Sequence, residues 1–151
     1  MKTFYKMNKN GTAIIGSGKI LPKGFIEYTK GSEPKELLGA LFLEKKTEKT
    51  SLIENYYENA NKLDIAYLNT TFQADTKSQD LIVKVLSAGS VPAGFFWLGK
   101  ANNQVAMTFT QLQGLSGAIL TRNQTNFIKF QGLKSKVALA KTQADLDLIA
   151  W

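Results

Sequence analysis

Along residues 1 to 31 the apolar positions come in short runs between turn signals; beyond them they recur every three to four residues. Thr3-Phe4-Tyr5-Lys6-Met7, Thr12-Ala13-Ile14-Ile15 and Gly24-Phe25-Ile26-Glu27-Tyr28 are β-type runs. Asn10-Gly11 between the first two predicts a two-residue hairpin turn, whose two positions both need positive φ. Gly16-Ser17-Gly18 and Pro22-Lys23-Gly24 are read as further turns. The result is a small β region with a thin core, for which a binding partner is a natural source of order.

Helical spacing begins at Pro34, which fits the first turn of a helix with Ser32 or Glu33 as its cap. Leu37, Leu38, Leu41 and Phe42 then fall on one stripe. Glu44 to Thr50 has no apolar anchor and is read as a boundary between segments, one long continuous helix being the alternative. Ser51-Leu52-Ile53-Glu54 matches the capping-box pattern, and Leu52, Tyr56, Ala60 and Leu63 follow at helical spacing. Ile65, Tyr67 and Phe72 read as short strands about a turn at Asn69-Thr70. Asp75 is expected to cap a helix whose apolar face is Leu81, Ile82, Val85 and Leu86, with Gly89 ending it.

Pro92 and Gly94 form the next turn. Phe95 to Leu98 and Val105 to Met107 predict a β-hairpin around Trp97. Thr108 with Gln111 makes a capping box, and Met107 with Leu112 a hydrophobic staple. Leu112, Leu115, Ile119, Phe127, Phe130, Leu133 and Val137 continue the stripe to about Lys141, with Arg122 to Asn126 as its weak part. Gly114, Gly117 and Gly132 lower helix propensity there, so close packing or a bend is expected. Thr142, with Asp145 at the third position, caps a last short helix. Leu146, Ile149 and Trp151 are expected to close the chain on the core.

Composition narrows the chemistry. Among 151 residues there is no cysteine and no histidine. This removes disulfides, thiolate nucleophiles, the commonest metal ligands and the commonest general base. No enzyme activity and no cofactor are expected. Net charge is +7, yet Arg122 is the one arginine among 19 basic residues. Base and phosphate recognition favours arginine's bidentate fork, so a solvated basic surface is preferred to a nucleic-acid interface.

Gly11, Gly16, Gly18 and Gly24 match neither phosphate-loop nor dinucleotide spacing. Glu54 and Glu58 read as a solvated helix face with Lys62, and Asp145 and Asp147 as helix N-terminal charges. No apolar run approaches the roughly 20 residues of a membrane span. The opening residues lack the apolar core of a signal peptide, so the chain is expected to be made in a cytoplasm.

Three blocks carry a resemblance. Phe72-Gln73-Ala74-Asp75-Thr76-Lys77-Ser78-Gln79 is similar to the strand-to-helix signature of a phage and prophage domain family of unknown function, often found in tail-fibre accessory or assembly proteins. Trp97 followed by Asn102-Asn103-Gln104-Val105-Ala106-Met107-Thr108 resembles its tryptophan hairpin and helix cap. Leu133-Lys134, Ala140-Lys141-Thr142, Leu146 and Ile149-Ala150-Trp151 resemble its C-terminal signature. The resemblance implies a bacteriophage tail setting, synthesis in the bacterial host and protein–protein binding, and it carries no catalytic residues. Asp75, Ser78, Trp97, Met107, Thr108, Leu112 and Trp151 are assigned structural roles as caps and core groups.

The expected fold is α+β: a β-rich docking segment over residues 1–43, then a mainly helical domain over 44–151 with a hairpin around Trp97. Lys2, Lys6, Lys9, Lys19, Lys23 and Lys30 interleave with Phe4, Tyr5, Phe25 and Tyr28. These four aromatic residues are the candidate partner-binding groups, and a tail fibre or neighbouring tail protein is the candidate partner. Lysine-guarded strand edges and a single-strand nucleic-acid platform are the lesser readings. The functional expectation is a tail-fibre assembly or accessory factor. The alternatives are a permanent, self-associating tail component retained in the virion, and a basic nucleic-acid-binding module.

Overall fold

The computed structural model describes all residues, 1–151, and is α+β. Its elements run β1 Lys2–Met7, β2 Ala13–Gly18, β3 Ile26–Tyr28, α1 Lys35–Ala60, β4 Ile65–Tyr67, β5 Thr70–Phe72, α2 Thr76–Ser87, β6 Phe96–Leu98, β7 Gln104–Ala106, α3 Phe109–Leu139 and α4 Gln143–Asp147. They form two compact units. One contains Met1–Leu52 and Lys134–Ala150, the other Ile53–Leu133 and Trp151. The helices α1 and α3 contribute to both.

In the first unit, an antiparallel sheet has the order β2-β1-β3. The Asn10-Gly11 hairpin forms, but its loop has three residues, not two. Asn8 N–H donates to Thr12 O at 2.8 Å, Gly11 N–H donates to Asn8 O at 3.0 Å, and only Gly11 has positive φ (81°). This is a type I turn followed by a left-handed glycine, the usual three-residue solution. Asn10 Oδ1 accepts from the Thr12 hydroxyl at 2.7 Å.

Gly16-Ser17-Gly18, expected as a turn, lies inside β2. Gly16 is opposite Phe4, and a Cβ there would stand 2.5 Å from Phe4 Cε2, so the glycine makes room for the ring. Successive strand residues face opposite sides. Phe4 meets Phe25 edge-on at 5.5 Å, while Tyr5 meets Tyr28 at 5.9 Å and donates a long hydrogen bond (3.4 Å) to Glu36.

The helix α1 differs from the sequence reading in four ways. Pro34 stands just ahead of it, its carbonyl accepting from Leu38 N–H, and Glu33 turns back to Gly31 N–H rather than capping. Glu44 to Thr50 is helical, so the single continuous helix forms and the boundary does not. Ser51 and Glu54 form no capping box, because Ser51 lies mid-helix where the backbone donors are already used. Nearby, the Thr47 and Thr50 hydroxyls donate to the carbonyls four residues back, Leu43 and Lys46. The buried face is Leu37, Ala40 and Ile53, with Leu38, Leu52 and Tyr56 about half exposed. Within this unit Lys46 Nζ donates to Ala138 O in the last turn of α3, and Lys49 Nζ to Ile149 O. The Thr142–Asp145 capping box of α4 forms as expected, and Leu146 and Ile149 are buried.

In the second unit, Phe72, Ala74, Ile82, Met107, Leu112, Leu115 and Ile119 form the core. The β4–β5 turn falls at Leu68-Asn69, one residue earlier than expected, with φ of 47° and 58°. Both positions of a two-residue hairpin turn take positive φ, so Leu68 occupies a conformation that leucine rarely adopts. Gly99 bridges to Phe72, and Lys100 N–H donates to Thr71 O, joining the two hairpins. Gly114 admits the Tyr67 hydroxyl, which a Cβ there would overlap, whereas Gly117 and Gly132 face open space. The helix α3 is continuous, and Phe127, expected on its buried stripe, is exposed.

Candidate docking surfaces

Of the aromatic residues proposed for partner binding, Phe4 and Tyr5 are buried inside the first unit, at 6% and 2% exposure. They cannot present their faces to a partner. They are sheet-packing residues, because β1 is the central strand and both its faces are covered. Burial pushes the Tyr5 phenol up, and the Glu36 carboxylate adds to the shift. Phe25 and Tyr28 are half-buried behind these rings.

The exposed aliphatic groups fall on both faces of the sheet: Ile14, on the side of Phe4, is 47% exposed, Ile15 and Ile26, on the side of Tyr5, 46% and 55%, and Ile20, just past β2, 83%. Their signal in the sequence is a run of uncharged, partly β-branched residues, Ala13 to Gly18. Lys2 pairs with Glu27 at 2.7 Å, while Lys6, Lys9, Lys19 and Lys23 have no carboxylate partner.

The second unit brings together three residues assigned separate structural roles. Asp75, Ser78 and Trp97 line one groove of about 520 Å³ with Gln73, Lys77, Leu81, Phe96 and Leu98. Asp75 is at the N-cap of α2, and its Oδ1 accepts from Ser78 N–H at 2.8 Å. That backbone hydrogen bond is the main cause holding the Asp75 carboxyl below its ordinary range. Trp97 packs against the core, whereas its strand neighbours Phe96 and Leu98 are nearly half exposed, as the alternation of a strand requires. A second opening, lined by Gly89 to Phe95 and by Ala106, Met107, Thr108, Phe109 and Gln111, lies over the cap of α3. There Thr108 N–H donates to Gln111 Oε1 at 2.8 Å and Gln111 N–H to Thr108 Oγ1 at 3.2 Å. Met107 and Leu112 are both buried, as a hydrophobic staple places them.

A polar node explains the weak stretch of the α3 stripe. Arg122 donates to the carbonyls of Leu63 and Asn61, just past the end of α1. Asn61 O also accepts from Gln79 Nε2 at 2.8 Å, Asn61 Oδ1 from Asn126 at 2.8 Å, and Asn123 donates to Gln79 at 3.1 Å. Desolvation lowers the Arg122 pKa from its ordinary value. Carbonyls at a helix C-terminus carry partial negative charge, so the chain's one arginine finds its partners there. Trp151 is half-buried beside Tyr57 at 6.3 Å, with Lys129 Nζ 4.8 Å from its ring centre.

The carboxylates stay dispersed. Glu58 reaches Lys62 at 3.8 Å, Asp145 accepts from the N–H groups of Lys141 and Thr142, and no three acidic side chains converge as a metal site would need. Those backbone donors hold the Asp145 carboxyl below its usual range. No helix is long and apolar enough to cross a membrane.

No curated protein and no solved structure matches the chain. A family model described as Domain of unknown function (DUF4376) matches residues 44–150, a span that holds both capping boxes, the Trp97 hairpin and the whole core of the second unit. The chain belongs to the DUF4376 family.

Proposed function

We propose that this chain is a non-enzymatic bacteriophage tail protein, an assembly or accessory factor that binds the tail fibre or a neighbouring tail protein. The setting comes from the three sequence blocks that resemble phage and prophage proteins. The observation that carries the binding role is the sheet of the first unit, where Ile14 on one face, Ile15 and Ile26 on the other and Ile20 just past β2 are exposed beside unpaired lysines. Exposed aliphatic groups of this kind are covered at low cost by another protein. A base-stacking platform would need aromatic faces at the surface, and Phe4 and Tyr5 are inside, which favours protein over nucleic acid.

The test is coexpression with a tail fibre from the same phage or prophage, followed by size-exclusion chromatography with light scattering. A complex of fixed stoichiometry is expected. Fibre that folds, trimerises and binds its receptor equally well without this chain would sink the assembly role. Mass spectrometry of purified tails then separates a transient factor, absent from finished tails, from a permanent component.

A further inference from the structure

We infer that the free edge of β2 takes up an extended segment of a partner as a fourth strand, and that this segment carries carboxylates at its ends. The inference rests on the binding role proposed above and names its mode and chemistry.

The sheet order β2-β1-β3 leaves two edges. β3 has three residues, and its Glu27 pairs with Lys2 of β1, so it is a short edge that carries charge. β2 has six residues, Ala13 to Gly18, none of them charged, with Ile14 and Ile15 half exposed. It carries neither the charge nor the proline that usually guards an edge.

The register shows which groups are free. Asn8 N–H donates to Thr12 O, which marks that pair as hydrogen-bonded. Pairs alternate along an antiparallel ladder. Ile14, Gly16 and Gly18 therefore bond to Lys6, Phe4 and Lys2, and Ala13, Ile15 and Ser17 direct their N–H and C=O groups to the open edge. Three residues at alternate positions form the template that β-addition uses.

Charge selects the occupant. Lys9 lies in the turn before β2, Lys19 directly follows it, and Lys6 faces Ile14 across the ladder; none has a carboxylate partner. Two copies pairing antiparallel through β2 would set Lys9 of each near Lys19 of the other, and parallel pairing would set like lysines together. Either arrangement is repulsive. A strand with acidic ends meets Lys19 at one end and Lys9 at the other, where Glu44 and Glu48 of α1 line the hollow beside Gly11 and Thr12 and offset part of the attraction, with backbone partners between the two ends.

The probe is a synthetic peptide of alternating Val and Thr flanked by two Asp at each end, beside the same core flanked by Lys. Amide hydrogen exchange on the full chain is the readout. The Asp-flanked peptide should slow exchange at Ala13, Ile15 and Ser17 by about ten-fold or more. It should bind at least about ten-fold tighter than the Lys-flanked one at low salt, and the gap should shrink as salt is added.

Ser17→Pro removes an outward N–H without removing a bond to β1, and should abolish protection while the other β1–β2 amides stay protected. Lys9→Glu with Lys19→Glu leaves the edge intact and should reverse the peptide preference. No protection at millimolar peptide overturns the inference, as do equal binding of both peptides, protection by self-association alone, or protection by single-stranded DNA. The two proposals fail separately. If Ser17→Pro still captures the fibre, the edge is wrong and the tail role stands; if the peptide docks but no tail protein is captured, the reverse holds.

Discussion

Arg122 Nη2 donates to the backbone carbonyl of Asn61, and through that one oxygen the arginine meets the Gln79 side chain of α2. Arg122→Ala would leave the Asn61 and Leu63 carbonyls without their charged donor. Hydrogen bonds to charged groups contribute about 1.5–3 kcal/mol each, and partial exposure puts the expected loss at about 1–3 kcal/mol in urea denaturation. Arg122→Lys keeps the charge but not the fork, and should fall between the two.

Three glycines in α3 should respond differently to alanine. Gly117 and Gly132 have nothing within 4 Å of a built Cβ, so alanine there should stabilise by up to about 1 kcal/mol through helix propensity. At Gly114 the new Cβ meets the Tyr67 hydroxyl, and alanine should lose that gain or destabilise. Adding Tyr67→Phe to Gly114→Ala should recover only part of the loss, because ring carbon Cζ would still stand 2.8 Å from the new Cβ; thermal melts of the unaltered protein, the two single variants and the double variant would read it. A Gly114→Ala protein as stable as Gly117→Ala would contradict the close approach.

Leu112 is fully buried and belongs to the staple that sets the start of α3. Leu112→Ala should cost about 2–5 kcal/mol. Thr108→Ala removes one half of the capping box and should cost about 1 kcal/mol. Equal losses for the two variants would argue against Leu112 being a core residue.

Asp75 and Asp145 both have carboxyls held below the usual range by backbone N–H groups. A depressed folded-state pKa gives stability that is present above the unfolded value, near 4, and is lost as pH falls through the folded value. Denaturation midpoints should therefore drop on acidification below about pH 4, without an imidazole transition nearer neutrality, since the chain has no histidine. Asp75→Asn retains a cap but not its titration, and should flatten part of that acid-side slope. An unchanged slope in the double variant Asp75→Asn, Asp145→Asn would remove these caps as the cause.

Local signals suffice where the partner lies within a few residues. Asp75 with Ser78, Thr108 with Gln111 and Thr142 with Asp145 all form as their spacing predicts. The same pattern at Ser51 and Glu54 failed, because a capping box acts only where the backbone donors are free, and helix continuation from Lys35 had already used them. One-residue errors had larger consequences. The stripe expected at Leu52 and Tyr56 left those groups half exposed, while their neighbours Ile53 and Tyr57 pack, Tyr57 stacking on Phe130 at 4.7 Å. Adjacent apolar residues on a helix offer two faces, and nothing local selects between them.

The sequence by itself determined the α+β class, the caps of α2, α3 and α4, and the lack of imidazole and thiol chemistry in a chain without histidine or cysteine. Those properties depend on spacing, propensity and residue type over one or two turns. Only the tertiary structure decided that Phe4 and Tyr5 are interior, that Arg122 closes the end of α1, that Gly114 receives Tyr67, and that β2 rather than β3 is the long open edge. Each depends on which residues meet at a distance along the chain, from Tyr5 opposite Ile15, 10 positions apart, to Arg122 on Asn61, 61 apart, and that is settled by packing and unpaired backbone groups across the whole unit.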